Sequence, residues 1–260
     1  MAHRSETRMI NGVPTRLFRG GRGMPALVLA PELVPSRWFP YHEDLAARFL
    51  VLAPEHPGFG ASERPEWLEG VDDLVLHYLD FLDELELEQV AIIGSSLGGW
   101  IAAEIAVLQP KRVTHLVLAG AAGLKVDGAR RHDVFLNPIE KTMAVLFHDP
   151  SRAAQLLSDE SGVDRILRGY REGASLARLA WNPYLYNPKL ERRLRRIACP
   201  TLVVWGENDR FLDAAHGAAF ARLIPKARLE QVPACGHLVA FEQTATFSRL
   251  AGDFLATAVE

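Results

Sequence analysis

Short apolar runs alternate along this chain with stretches of helical period. Residues 26–30, 49–53, 90–93, 113–118 and 201–205 are compact and apolar, as in strands buried on both faces. Residues 9–10 and 15–18 flank Asn11-Gly12, which predicts a hairpin turn. In 71–87, Val71, Leu74, Val75, Tyr78, Leu79, Leu82 and Leu85 share one face, while Asp72, Asp73, Asp80, Asp83, Glu84 and Glu86 lie largely opposite. A second helix is predicted over 97–108, ending before Pro110. The last strand is predicted at 227–232 and one closing helix at 238–256. Strand and helix in alternation predict βαβ units and a largely parallel sheet.

The strand pattern stops between 124 and 197. That stretch has helical period and is broken by Asn137-Pro138, Asp149-Pro150, Asn182-Pro183 and Asn187-Pro188. It reads as a helical insertion, so the expected division is a core of 1–123 with 198–260 and an inserted unit of 124–197.

Composition narrows the class. The chain has 260 residues, 48% hydrophobic and 23% charged, which excludes a disordered or fibrous protein. A net charge of −3 with no extended basic block argues against nucleic acid. No run approaches the ~18 apolar residues of a membrane span, and the first residues hold no apolar signal core. A cytoplasmic location is expected. Cys199 and Cys235 are read as packed thiols: parallel strands would put them at opposite sheet edges, too far apart to bridge. No Cys/His cluster has zinc spacing, and no metal or cofactor is expected.

The chemistry concentrates at three loops. Gly94-Ser95-Ser96-Leu97-Gly98 matches G-x-S-x-G, with a strand run before it and a helix after it. Such a strand-to-helix turn lifts the serine Oγ above the sheet and needs small neighbours. The helix N-terminus behind it offers unpaired N–H groups to a developing oxyanion, and the Leu97 N–H is the first candidate donor. The bland alternative is a serine N-cap between packing glycines. Ser95 stands one place early, so the pattern selects Ser96. A serine hydroxyl needs a base. His237 in Cys235-Gly236-His237 follows the last strand, where Gly236 lets the ring turn toward the sheet edge; the rival reading is a loop histidine bonded to backbone. Asp209, in Trp205-Gly206-Glu207-Asn208-Asp209-Arg210, leaves the end of the preceding strand and is the candidate orienter of His237. Glu207 and Asp213 are the nearby alternatives.

These loops, with Glu55-His56-Pro57-Gly58-Phe59-Gly60-Ala61-Ser62, resemble the α/β-hydrolase family over nearly the whole chain. The resemblance implies an eight-stranded, mostly parallel sheet flanked by helices. It further implies a helical cap between strands six and seven, at 124–197, and Ser96, Asp209 and His237 as a triad. The subgroup it looks nearest to holds small carboxylesterases and C–C bond hydrolases. Relatives that dehalogenate haloalkanes or open epoxides use an aspartate nucleophile, and Ser96 argues against both.

One departure stands out. The family usually has His-Gly after its third strand, and the next residue supplies the second oxyanion N–H. Here the stretch reads Ala30-Pro31-Glu32-Leu33, and proline has no N–H. Glu32 or Leu33 is left as the backbone donor. The Glu32 side chain is expected to point outward, because a carboxylate turned inward would oppose an oxyanion.

A substrate pocket is expected from Trp100, Phe135, Phe147, Trp181 and Tyr184, each of which has cap packing as its plainer role. Arg168, Arg171 and Arg178 are candidates to hold a substrate carboxylate, a solvated surface being the plainer role. The expected activity is hydrolysis of a carboxylic ester or related acyl bond in a small apolar or aromatic molecule. The alternatives are C–C hydrolysis of a meta-cleavage-type diketone and a non-catalytic ligand-binding homologue. A homodimer through the sheet edge or the cap is compatible with the pattern.

Overall fold

The computed structural model describes residues 3–156 and 162–258. Eight strands form one sheet in the order β1-β2-β4-β3-β5-β6-β7-β8. They are β1 (Arg4–Ile10), β2 (Val13–Gly20), β3 (Pro25–Leu29), β4 (Leu50–Pro54), β5 (Val90–Ser95), β6 (Val113–Ala119), β7 (Thr201–Gly206) and β8 (Ala227–Val232). β1 and β2 form a hairpin through Asn11-Gly12, both at positive φ, and β2 pairs antiparallel with β4. Every other pairing is parallel. Every residue of β5, β6 and β7 is buried, as their unbroken apolar runs require.

The flanking helices are α1 (Pro40–Ala46), α2 (Val71–Glu84), α3 (Leu97–Leu108), α8 (Ala215–Leu223), α9 (Val239–Glu242) and α10 (Thr244–Leu255). Between β6 and β7 come α4 (Ile139–Leu146), α5 (Ser151–Leu156), α6 (Gly162–Ala180), α7 (Leu190–Arg193) and a 3-10 turn (Leu194–Arg196). This is an α/β-hydrolase fold, and no described helix is long and apolar enough to cross a membrane.

α3 is the most deeply buried helix, with only Leu108 of its twelve residues exposed. Its small residues let it lie close on the sheet. A Cβ on Gly98 would stand 2.3 Å from the Leu29 carbonyl oxygen, and one on Gly94 would stand 2.3 Å from that of Gly98. Glycine at 94 and 98 therefore sets how closely β3, β5 and α3 meet.

The closing helix expected over 238–256 is broken. Gln243 leaves helical geometry (φ −121°, ψ 52°), so α9 and α10 are separate. Beside the break, the Glu242 carboxylate turns inward to accept three backbone N–H groups, two of them from the β6–β7 segment.

Buried histidines tie the site's supporting loops together. His56 accepts the Tyr78 hydroxyl proton at Nδ1 (2.6 Å) and donates from Nε2 to the Ala30 carbonyl (2.9 Å), linking β4, α2 and the end of β3. That arrangement needs a neutral ring, and burial pushes the His56 pKa down to about 4. His42, which accepts the Phe39 N–H at Nδ1, is pushed by burial down to about 3. In the unfolded chain both titrate near the ordinary value of about 6.5. Below that pH the unfolded state binds protons that the fold refuses, so stability is lost as pH falls from about 6.5 toward 4. Urea unfolding is expected to give a clearly lower midpoint at pH 5 than at pH 8, with a smaller difference in His56→Gln. Equal midpoints in the wild-type protein would contradict this account.

Candidate active site

The site is assembled where β5 turns into α3. Ser96 adopts φ 48° and ψ −115°, a conformation that L-residues avoid. Tertiary contacts hold it there. The Ser96 N–H donates to Ala119 (3.1 Å), and its carbonyl accepts from Trp100 (3.1 Å) and Ala122 (3.0 Å). The strained turn puts Oγ above the sheet and frees the Leu97 N–H.

His237 and Asp209 reach Ser96 from the loops after β8 and β7. His237 Nε2 lies 2.8 Å from Ser96 Oγ, and His237 Nδ1 lies 2.8 Å from Asp209 Oδ2. The other Asp209 oxygen accepts the N–H groups of Phe211 and Leu212, both at 2.8 Å. With both oxygens engaged, the carboxylate is fixed as an acceptor for Nδ1–H, which leaves Nε2 to face the serine. The Phe211 ring packs 4.5 Å from the imidazole. Ser96, His237 and Asp209 are 1%, 2% and 4% exposed, so all three are closed off from solvent. The two alternative acids lie elsewhere: Glu207 is exposed, and Asp213 caps Ala215 and pairs with Arg130 at 3.8 Å.

The Glu32 side chain does not point outward as expected. It is 3% exposed and turned into the site. Its Oε1 is 3.0 Å from Ser96 Oγ, and its Oε2 accepts the Leu97 N–H at 3.0 Å. The carboxyl group thus sits at the mouth of the turn, against the serine hydroxyl and the first N–H of α3. The reason is local: Leu33 takes a left-handed φ of 64°, and Glu32 is buried with Leu33 and Val34. The sequence reading left only the backbone N–H of Glu32 or Leu33 at this position, with the carboxyl outside.

The five expected pocket residues do not line one cavity. Phe135, Trp181 and Tyr184 cluster around a surface cavity of about 290 Å³, with Trp181 57% exposed. Phe147 lines a separate cavity of about 210 Å³ with Arg37, Tyr41 and Phe241. Trp100 faces a groove on the α2–α3 side, beside Val71 and Tyr186, and its indole N–H donates to Glu104. Aromatic content marked the segment correctly as rich in apolar surface, but apolar residues also pack helices together, and here they divide among three places. The arginines have their own contacts: Arg168 pairs with Glu172 (2.7 Å), Arg178 pairs with Glu69 (2.9 Å) and donates to the Leu68 carbonyl, and Arg171 is exposed. Among the described residues, no group of His, Cys, Asp or Glu side chains is arranged to hold a metal ion. Both thiols are buried and free, and burial raises the Cys199 pKa to about 11.

One supporting residue carried no sequence signal beyond its place five positions after His237. Glu242 accepts the N–H groups of Gly236 (2.7 Å), His148 (2.9 Å) and Asp149 (2.8 Å), pinning the His237 loop to the end of α4. The fit is tight: a Cβ on Gly236 would come within 2.6 Å of the His148 nitrogen.

The comparisons with known proteins agree with the fold. The family model for the alpha/beta hydrolase fold matches residues 23–244, and the chain belongs to that family. It is similar to a 2-hydroxymuconate semialdehyde hydrolase of Pseudomonas sp. (strain CF600), 32% identical over 95% of this chain and 92% of that one. It is also similar to a 2-hydroxy-6-oxo-2,4-heptadienoate hydrolase of Pseudomonas putida (strain F1), 30% identical over 95% of each. Among solved structures, a meta-cleavage product hydrolase from Pseudomonas fluorescens IP01 superposes with a TM-score of 0.82 at 25% identity, covering 96% of this chain and 97% of that one. The protein is a hydrolase of the alpha/beta fold.

Removing the Glu242 carboxylate leaves three inward-turned N–H groups unpaired, at about 1–3 kcal/mol for each one that finds no other partner. Glu242→Ala is expected to lower both the melting temperature and kcat, with Glu242→Gln intermediate in both. A Glu242→Ala protein with wild-type melting and turnover would contradict the supporting role.

Proposed function

We propose that this protein is a serine hydrolase that cleaves a carbon–carbon bond beside a ketone, in small molecules of the ring-cleavage-product type. The observation that carries the hydrolase chemistry is the unbroken hydrogen-bonded chain from Asp209 through His237 to Ser96, at 2.8 Å per link. The bond type is supported by the relatives, whose names describe hydrolases of semialdehydes and oxo-dienoates.

In this reading Ser96 Oγ attacks the carbonyl carbon while His237 Nε2 takes the hydroxyl proton. Asp209 holds the ring and stabilises the imidazolium. The carbonyl π pair moves onto oxygen, facing the Leu97 N–H at the N-terminus of α3. Collapse breaks the bond to the leaving carbon, which takes the proton from His237. Water, deprotonated by the same histidine, then releases the acyl group from Ser96. The segment 124–197 acts as the cap over this centre. Because the triad is buried, the cap and the carboxyl of Glu32 have to give way before substrate reaches Ser96.

A second reading, hydrolysis of a carboxylic ester on the same triad, is favoured by one observation. A dienoate substrate carries an acid group. The arginines that would hold it are engaged with Glu172 and Glu69, or exposed.

Two measurements test these readings. Side-by-side kcat/KM values on a ring-cleavage dienoate and a short-chain p-nitrophenyl ester are expected to favour the dienoate; a strong preference for the ester selects the second reading. Ser96→Ala is expected to lose at least about 10³-fold in kcat on whichever substrate is turned over, with unchanged melting. Full activity in that variant would overturn the assignment.

A further inference from the structure

The contacts around Ser96 call for one proton more than a triad needs. Ser96 Oγ lies 2.8 Å from His237 Nε2 and 3.0 Å from Glu32 Oε1, yet the hydroxyl has a single proton to give. If it donates to His237, Oε1 must itself carry a proton and donate to Oγ. If it donates to Glu32, His237 must be an imidazolium whose Nε2–H donates to Oγ. With neither, two lone-pair-bearing oxygens face each other unbonded in a buried site. The two satisfied arrangements are tautomers of one singly protonated cluster, related by a proton passing through the serine hydroxyl.

The surroundings favour keeping that proton. Glu32 and Asp209 are both buried carboxyl groups, and among the described residues no arginine or lysine forms an ion pair with either. Hydrogen bonds alone balance these two carboxyls, so one shared proton relieves the repulsion between them. The groups in contact with Glu32 are Ser96, with His237 and Asp209 behind it, and the Leu97 N–H. His56 fixes the adjoining backbone at Ala30.

We propose that Glu32 is a catalytic residue: as a neutral carboxylic acid, its Oε1–H is the second oxyanion donor, in the role that a backbone N–H fills in the family pattern. The proposal rests on Ser96 acting as the nucleophile. Oε2 accepts the Leu97 N–H in the resting site, which leaves Oε1 as the oxygen with a proton to offer. When a carbonyl oxygen enters, it displaces Oε2 from Leu97, and the carboxyl withdraws by about one hydrogen-bond length. The Oγ–C bond then forms, the π pair moves onto oxygen, and the Oγ proton goes to His237. The Glu32 proton stays on Oε1 and points at the alkoxide. Collapse returns the electron pair and leaves Glu32 neutral. A carboxylic acid kept neutral by its environment is an effective donor of this kind. In the active form the shared proton sits on Glu32 and His237 is free to accept the Ser96 proton.

A fluorophosphonate probe tests this without knowledge of the substrate. Ser96 Oγ displaces fluoride from phosphorus, and the phosphoryl oxygen enters the oxyanion site. The rate of labelling at Ser96 is followed in the wild-type protein, Glu32→Gln and Glu32→Ala, with thermal melting checked for each. Glu32→Gln, whose amide still donates, is expected to label at an intermediate rate. Folded Glu32→Ala is expected to label about 10²–10³-fold more slowly. If Glu32→Ala labels as fast as the wild type or faster, the carboxyl is a plug or a bystander, and the proposal fails while the nucleophile stands. If Glu32→Gln falls as far as Glu32→Ala, or labels faster than the wild type, the proposal also fails. If the wild-type protein is never labelled at Ser96, the serine-hydrolase reading itself fails. If Glu32→Ala does not fold, the Glu32→Gln rate decides alone.

Discussion

The approach of α3 to the ends of β3 and β5 is the constraint on which the site depends. Glycine at 94 and 98 permits backbone contact that any Cβ would block at 2.3 Å, and this contact holds Ser96 at a positive φ of 48°. The strain has a purpose: it lifts Oγ clear of the sheet and leaves the Leu97 N–H unpaired by the helix. The rest of the centre is fitted to that turn. Loops from β7 and β8 bring Asp209 and His237 to 2.8 Å contacts, and Glu242 clamps the β8 loop against the segment above it.

Much of this was legible in the sequence, because the features that define it are local and periodic. Continuous apolar runs gave the buried strands, and Asn11-Gly12 gave the hairpin. The strand–GSSLG–helix order located the turn at Ser96, and chain order brought Asp209 and His237 into consideration. The features that escaped depend on tertiary contact. Helical period continues through Gln243, so nothing local announced that the closing helix would break there or that Glu242 would turn inward. The expected pocket aromatics carry apolar character without direction, so their division among three places was invisible.

Glu32 is the instructive case. Its charge predicts exposure, since a carboxylate opposes an oxyanion and buried charges are costly. The expectation treats the group as ionised. Once the contacts are counted, the buried carboxyl has a place, because Ser96 Oγ stands between it and His237 and links two proton sites. The departure from His-Gly at Ala30-Pro31 is thus accompanied by a carboxyl turned onto the Ser96 hydroxyl and the Leu97 N–H, beside an intact hydrogen-bonded chain from Ser96 through His237 to Asp209.

The central claim is that Ser96 carries the acyl group between the two halves of the reaction. Acid-quenching the enzyme in the first turnovers of an activated ester, followed by peptide mass spectrometry, tests it most directly. The account predicts the acyl mass on the peptide that contains Ser96, rising before product release and lost on standing in water. Steady turnover with no acyl mass on that peptide, or with the acyl group on another residue, would contradict it.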